Sequence, residues 1–172
     1  IILAPANFTH AFNVGSDSLQ YPWNHQRRNR VLTLCRISEI FYSLQGEGLF
    51  TGVPMTFVRF AFCPWRCTWC DSVYTWAASQ SRMGGLPVLD SKQSHEAFQA
   101  AAEVETLSTS AIMDRVDQNP GSWVCITGGE PLSQPKAFRN LVCAIKDRSL
   151  SVEVETSGLT PLPDDDVFNA VD

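Results

Sequence analysis

Three cysteines fall within eight residues, Cys63-Pro64-Trp65-Arg66-Cys67-Thr68-Trp69-Cys70, the densest group of soft ligands in the chain. Thiolates suit iron–sulfur clusters or zinc better than hard cations, and three on one short loop can wrap a compact cluster. A structural metal site closes its coordination with four protein ligands, whereas a catalytic one keeps a position open. The spacing therefore fits three corners of a [4Fe–4S] cluster with the fourth left for a small chelating molecule. The competing reading is a zinc site with Cys35 as fourth ligand. Zinc sites prefer paired short motifs, however, and Cys35 stands alone far upstream. Cys125 and Cys143 have apolar neighbours and read as small core hydrophobes.

Two further segments carry reactive or glycine-rich residues: Thr127-Gly128-Gly129-Glu130-Pro131 and Glu155-Thr156-Ser157-Gly158. Each follows an apolar, β-branched run. Met55 to Phe62, interrupted only by Thr56 and Arg59, predicts a buried strand that ends at the cysteines. Ser122 to Thr127 predicts a second strand, Leu150 to Thr156 a third, and Val31 to Phe41 an earlier one. Helices are expected over Gln93–Leu107 and Thr109–Gln118, the latter stopped by Asn119-Pro120-Gly121. The clearest helix starts near Pro135, with Phe138, Leu141, Val142 and Ile145 on one stripe. Alternating strands and helices imply parallel pairing. In such sheets chemistry gathers at the carboxyl ends of the strands, which is where all three reactive segments fall. An arginine in an otherwise apolar strand needs a partner, so Arg59 is a candidate binding residue rather than a surface ion pair.

The 172 residues allow one domain with a proper core. A net charge of −5 gives no basic field for a phosphate backbone, so nucleic acid is not expected as a partner. No apolar run approaches the roughly 20 residues that cross a bilayer, so no membrane partner is expected. Six cysteines without the spread of a secreted framework indicate a reducing cytoplasm. Residues 1–30 mix Pro, Asn, Gly and Ser with no sustained period and read as a poorly ordered extension, leaving 31–172 as the working domain. The chain opens at Ile1 and stops at Asp172 just after an apolar segment has begun, which reads as a piece truncated at the C-terminus.

Cys-x3-Cys-x2-Cys after one strand and Gly-Gly-Glu-Pro after the next resemble the radical S-adenosylmethionine (SAM) superfamily. More closely, Glu39 to Gly48, Phe57-Val58-Arg59-Phe60, Cys70-Asp71-Ser72 and Thr127 to Pro131 resemble the 7-carboxy-7-deazaguanine synthase family. The resemblance implies an α/β fold, a partial (β/α) barrel of the radical SAM type, holding a [4Fe–4S] cluster on Cys63, Cys67 and Cys70. It implies a lyase that converts 6-carboxy-5,6,7,8-tetrahydropterin to 7-carboxy-7-deazaguanine on the way to queuosine. It also implies SAM contacts from Trp69, Cys70, Asp71, Gly129 and Glu130, and a magnesium ion at Ser72, where the family usually has Thr. Substrate contacts are implied for Leu44, Gln45, Gly46, Arg59 and Thr127. Glu155, Thr156 and Ser157 are placed either beside SAM or in a plain strand-end turn. The family suggests a homodimer, a flavodoxin or ferredoxin as electron donor, and further strands with a Ser-Pro-Lys-like segment contacting SAM. Two readings compete: a radical SAM activase acting on a partner protein, and a metal-binding fragment without catalysis. For Glu130 the alternative is a helix-start carboxylate, and for Ser72 a hydroxyl that merely caps its loop.

Overall fold

The computed structural model describes residues 33–76 and 104–161, all within a compact unit spanning Val31–Asp172. The expected extension over 1–30, the start of the helix expected from Gln93 and the C-terminal apolar segment lie outside the described residues. The strands are β1 (Leu34–Leu44), β2 (Pro54–Phe60), β3 (Glu105–Ser108), β4 (Trp123–Gly128) and β5 (Ser151–Val154). Two helices lie wholly within the described residues, α1 (Thr109–Val116) and α2 (Pro135–Lys146), with a 3-10 turn at Pro131–Ser133. The sheet runs β3-β1-β2-β4-β5. β2, β4 and β5 are mutually parallel, as the strand–helix alternation requires, while β1 and β3 join as antiparallel strands on the other side.

One expectation fails. Residues 105–107 do not end a helix but pair with β1, Leu107 facing Cys35 and Glu105 facing Ile37. Thr106 and Leu107 satisfy the otherwise open edge of β1, and that ladder outweighs local helix propensity. Ser108 then caps α1 by accepting a hydrogen bond from the Ala111 amide at 3.2 Å.

Alternation gives the sheet two unlike faces. The face under the helices is apolar: Ile37, Val58, Phe60, Val124, Ile126 and Val152 are buried there, as are Ile112, Met113, Phe138, Leu141, Val142 and Ile145 of the helices. The opposite face is partly apolar at one end, where Met55, Phe57 and Cys125 pack with Phe41, Phe50, Val53 and Trp123. Farther along it turns polar. Register places Glu39 beside Arg59 and Arg59 beside Thr127, with Cys125 beside Glu153.

A bulge in β1 makes this arrangement possible. Ile37 pairs with Phe60 but Glu39 pairs with Arg59, so one extra residue is inserted between them. In a regular strand positions 37 and 39 would share a face. The insertion re-aims Glu39 away from the helix core and onto the polar face.

The end of β4 is fixed by close backbone approach. A Cβ on Gly128 would lie 2.3 Å from the Phe60 carbonyl oxygen, and one on Gly129 2.3 Å from that of Phe62. Gly128 also has φ +144, a conformation side chains rarely adopt. The Gly129 amide donates to Phe60 O and the Glu130 amide to Phe62 O, both at 2.9 Å. Gly129→Ala is therefore expected to cost about 3 kcal/mol or more in chemical denaturation. Gly46→Ala, with nothing within 4 Å of the added carbon, should stay within about 0.5 kcal/mol of the parent.

Candidate functional site

The cysteine loop leaves β2 through Phe62, whose φ of 73 is unusual for an aromatic residue. Its amide donates to Thr75 O at 2.7 Å, its carbonyl accepts from Glu130, and the Arg36 guanidinium lies 5.0 Å from its ring centre. Arg66 braces the loop from within. It donates to the carbonyls of Cys63 at 2.8 Å and Trp65 at 2.7 Å, and covers the Trp76 ring at 4.5 Å. Trp76 in turn packs against Cys63, Cys70, Val73 and Tyr74. Cys67 and Trp69 are exposed, Cys63 and Cys70 half-buried.

Burial pushes the Cys63 thiol up; a hydrogen bond with the Trp65 backbone opposes this, and Glu130, Cys70 and Cys67 add to it. Cys63 thus lies within the influence of the other two cysteines, although no three Cys, His, Asp or Glu side chains among the described residues are already gathered as a metal site. The donor set fits an iron–sulfur cluster with one open corner. None of the six cysteines forms a disulfide. Cys35 is buried in the helix-side core and hydrogen-bonded to Thr109, and Cys125 is buried on β4, so neither stands free as a fourth ligand. That arrangement removes the basis of the Cys35 zinc reading.

Beyond the cysteines, Ser72 Oγ donates to Asp71 Oδ1 at 2.8 Å, and Arg59 Nη1 reaches the same hydroxyl at 3.4 Å. The Ser72 carbonyl accepts from the Thr75 amide and hydroxyl, so this residue also caps the turn that follows. Arg59 is 18% exposed and paired through Nε with Glu39 at 2.8 Å. Glu39 also accepts the Tyr74 hydroxyl at 2.6 Å.

The polar floor of the open face centres on Gln45, only 3% exposed. Its amide nitrogen donates to Glu153 at 2.5 Å and Glu155 at 3.0 Å, and Thr127 donates to Glu155 at 2.6 Å. Cys125 lies 3.8 Å from the same amide, and burial, then the two carboxylates, pushes its thiol far above the ordinary range. It remains a neutral thiol, in keeping with a core role.

Glu130 is oriented inward. It is 0% exposed and accepts from the Leu132 amide at 3.0 Å, the Thr156 hydroxyl at 2.8 Å, and the Ser157 amide and hydroxyl at 3.0 and 2.6 Å. Those four donors occupy its carboxylate, which joins the Gly-Gly-Glu turn to the end of β5 and caps the 3-10 turn. In this structure Glu130 acts as the cap of the turn that starts at Pro131.

The fold therefore brings Gln45, Thr127, Glu153 and Glu155 into one cluster and Arg59, Ser72 and Asp71 into another, with Gly129 and Glu130 beneath the cysteine loop. Leu44, Gly46 and Trp69 stay outside these clusters: Leu44 and Trp69 are largely exposed, and Gly46 has open space around it. Sequence reasoning assigned no role to Glu39, Tyr74 or Glu153. The Val152-Glu153-Val154-Glu155 alternation was the available signal, since two carboxylates at period two must share one face of a strand.

Residues 44–161 match the family described as a 4Fe-4S single cluster domain, and the chain belongs to it. Within that class its relatives are 7-carboxy-7-deazaguanine synthases. The chain is 34% identical over 131 residues to the one from Hyperthermus butylicus, covering 76% of this chain and 46% of the relative. It is 40% identical over 129 residues to that of Pyrobaculum aerophilum (73% and 47%) and 37% identical over 122 residues to that of Escherichia coli (71% and 52%). The fold is similar to the crystal structure of QueE from Escherichia coli, with a TM-score of 0.57 and 30% identity over 75% of this chain and 54% of that one. The expected resemblance and the α/β fold of the radical SAM type are both borne out. The chain spans about half the length of the relatives it matches.

The acidic pair has a pH signature. Burial raises the Glu153 carboxyl above its ordinary value; Gln45 opposes this and Glu155 reinforces it. A raised value means that the folded state holds the proton more tightly, so this group's contribution is fully present below the ordinary carboxylate value. It is lost as pH rises through the raised value. Glu153→Gln should therefore have a higher Tm than the parent at pH 8, measured by calorimetry without ligands, and the gap should close as pH falls to 4.

Proposed function

We propose that the chain carries the catalytic core of a 7-carboxy-7-deazaguanine synthase acting on 6-carboxy-5,6,7,8-tetrahydropterin. The observation that carries the reading is the placement of a three-thiol loop at the end of β2, beside a polar face that offers an arginine and two carboxylates. A single-cluster match over most of the described residues and relatives of one activity support it. Cys63, Cys67 and Cys70 would hold the [4Fe–4S] cluster. When bound, cluster and SAM together would supply one-electron radical chemistry for hydrogen abstraction.

The residues of the chain do the rest by position. Arg59 presents a planar fork that suits the pterin carboxylate. Glu153 and Glu155, aligned by Gln45 and Thr127, offer acceptors to the amino and ring N–H groups of a flat heterocycle. That pattern favours a small polar ring over the main chain of a partner protein. Leu44 and Gly46 leave open space at the rim for substrate, and Trp69 and Asp71 flank the cluster for SAM. Gly129 supplies bare backbone beside them. Ser72 with Asp71 gives two hard oxygens 2.8 Å apart, a donor set that suits magnesium completed by water and substrate oxygens. Six cysteines without a disulfide among them suit the cytoplasm. No helix among the described residues is long and apolar enough to cross a membrane. A flavodoxin or ferredoxin donor and a homodimer complete the reading.

Anaerobic reconstitution followed by product analysis tests it. The full chain should take up one [4Fe–4S] cluster and convert the carboxypterin to 7-carboxy-7-deazaguanine with SAM and a reductant. Replacing any one of the three cysteines with Ala should abolish turnover. A single tightly bound zinc, or SAM cleavage indifferent to the pterin, would refute the proposal.

A further inference from the structure

Arg59 is not a lone cation on the polar face. Its Nε lies 2.8 Å from Glu39 Oε1 as an ion pair without hydrogen-bond alignment, and the same oxygen accepts the Tyr74 hydroxyl at 2.6 Å. Its Nη1 points to Ser72 Oγ at 3.4 Å, and its guanidinium carbon lies 5.8 Å from the Phe41 ring centre. Three different segments thus meet on one guanidinium: β1 through Glu39, β2 through Arg59 itself, and the stretch after the cysteines through Ser72 and Tyr74. Glu39 is available only because the bulge between Ile37 and Glu39 turns it to this face.

The geometry points to Glu39 and Tyr74 as positioning residues that set the Arg59 fork for a bound carboxylate and tie it to the cysteine loop. The inference rests on the carboxypterin reading above. Glu39 sits against the Nε side and Nη1 makes one long contact to Ser72 Oγ, so the guanidinium keeps N–H donors for a ligand carboxylate. A second carboxylate beside Glu39 leaves the group one negative charge in excess. Tyr74 relieves this by donating its hydroxyl to the shared Glu39 oxygen. Tyr74 lies four residues beyond Cys70, and its ring packs with Trp76 beside Cys63 and Cys70. A carboxylate gripped by Arg59 is thereby held in fixed relation to the loop.

The test uses the reconstituted full chain without oxygen and without reductant. Calorimetry gives the Kd of 6-carboxytetrahydropterin and of unsubstituted tetrahydropterin for the parent, Glu39→Gln and Tyr74→Phe. The parent should prefer the carboxylated ligand. Both variants should lose that preference by roughly tenfold, the size expected when a hydrogen bond to a charged group is lost. Iron content and SAM affinity should not change. If Glu39→Gln fails to fold, Tyr74→Phe carries the test, since it removes one oxygen and no charge. Unchanged preference in the folded variants, or equal weakening for both ligands, would overturn the positioning role. A parent that binds both pterins alike would instead overturn the carboxypterin reading, and this inference with it.

Discussion

The crossing of Gly128-Gly129 over the end of β2 is the constraint on which the rest of the site depends. Two backbones meet where a single Cβ would sit 2.3 Å from a carbonyl oxygen, and the amides of Gly129 and Glu130 bond across the gap. The contact joins the loop leaving β2, with its cysteines, to the turn leaving β4. Glu130 extends the joint to β5 through Thr156 and Ser157. Three strand ends are thereby locked together before any ligand arrives, which is the preorganisation an active site on a parallel sheet requires.

The two faces of the sheet divide the labour. The helix side is apolar and supplies stability. The open side places a paired arginine and two buried-side carboxylates in one layer, an arrangement that costs stability and makes sense only if a ligand answers it. The β1 bulge is the local device behind this division. Without the extra residue, Glu39 would face the helix core and Arg59 would lack its counterion. Glu153 and Glu155 show the same logic at the far side, where Gln45 donates to both carboxylates and Thr127 to one of them.

Much of this was legible in the sequence, for physical reasons that differ by element. The α2 stripe is a period that survives any context, and Pro135 marks its start because a first-turn residue needs no amide donor. The cysteine spacing is equally local. β3 was not legible, because Glu105–Ser108 becomes a strand only through the free edge of β1. The orientation of Glu130 was hidden for a related reason: a carboxylate after two glycines reads the same whether it faces a ligand or three donors from the next strand. The pairing of Glu39 with Arg59 needs the bulge, which no composition or period announces. Side-chain chemistry was read from spacing, but its aim came from strand register.

The central claim is that the three thiolates leave one iron open to the amino and carboxylate groups of SAM. Electron–nuclear double resonance on the reduced cluster with SAM labelled at the amino nitrogen and carboxylate oxygen tests it most directly. The account predicts hyperfine coupling from both labels, lost together when unlabelled SAM replaces the labelled compound. A cluster that shows neither coupling at saturating SAM, or an iron held by a fourth protein side chain, would contradict it.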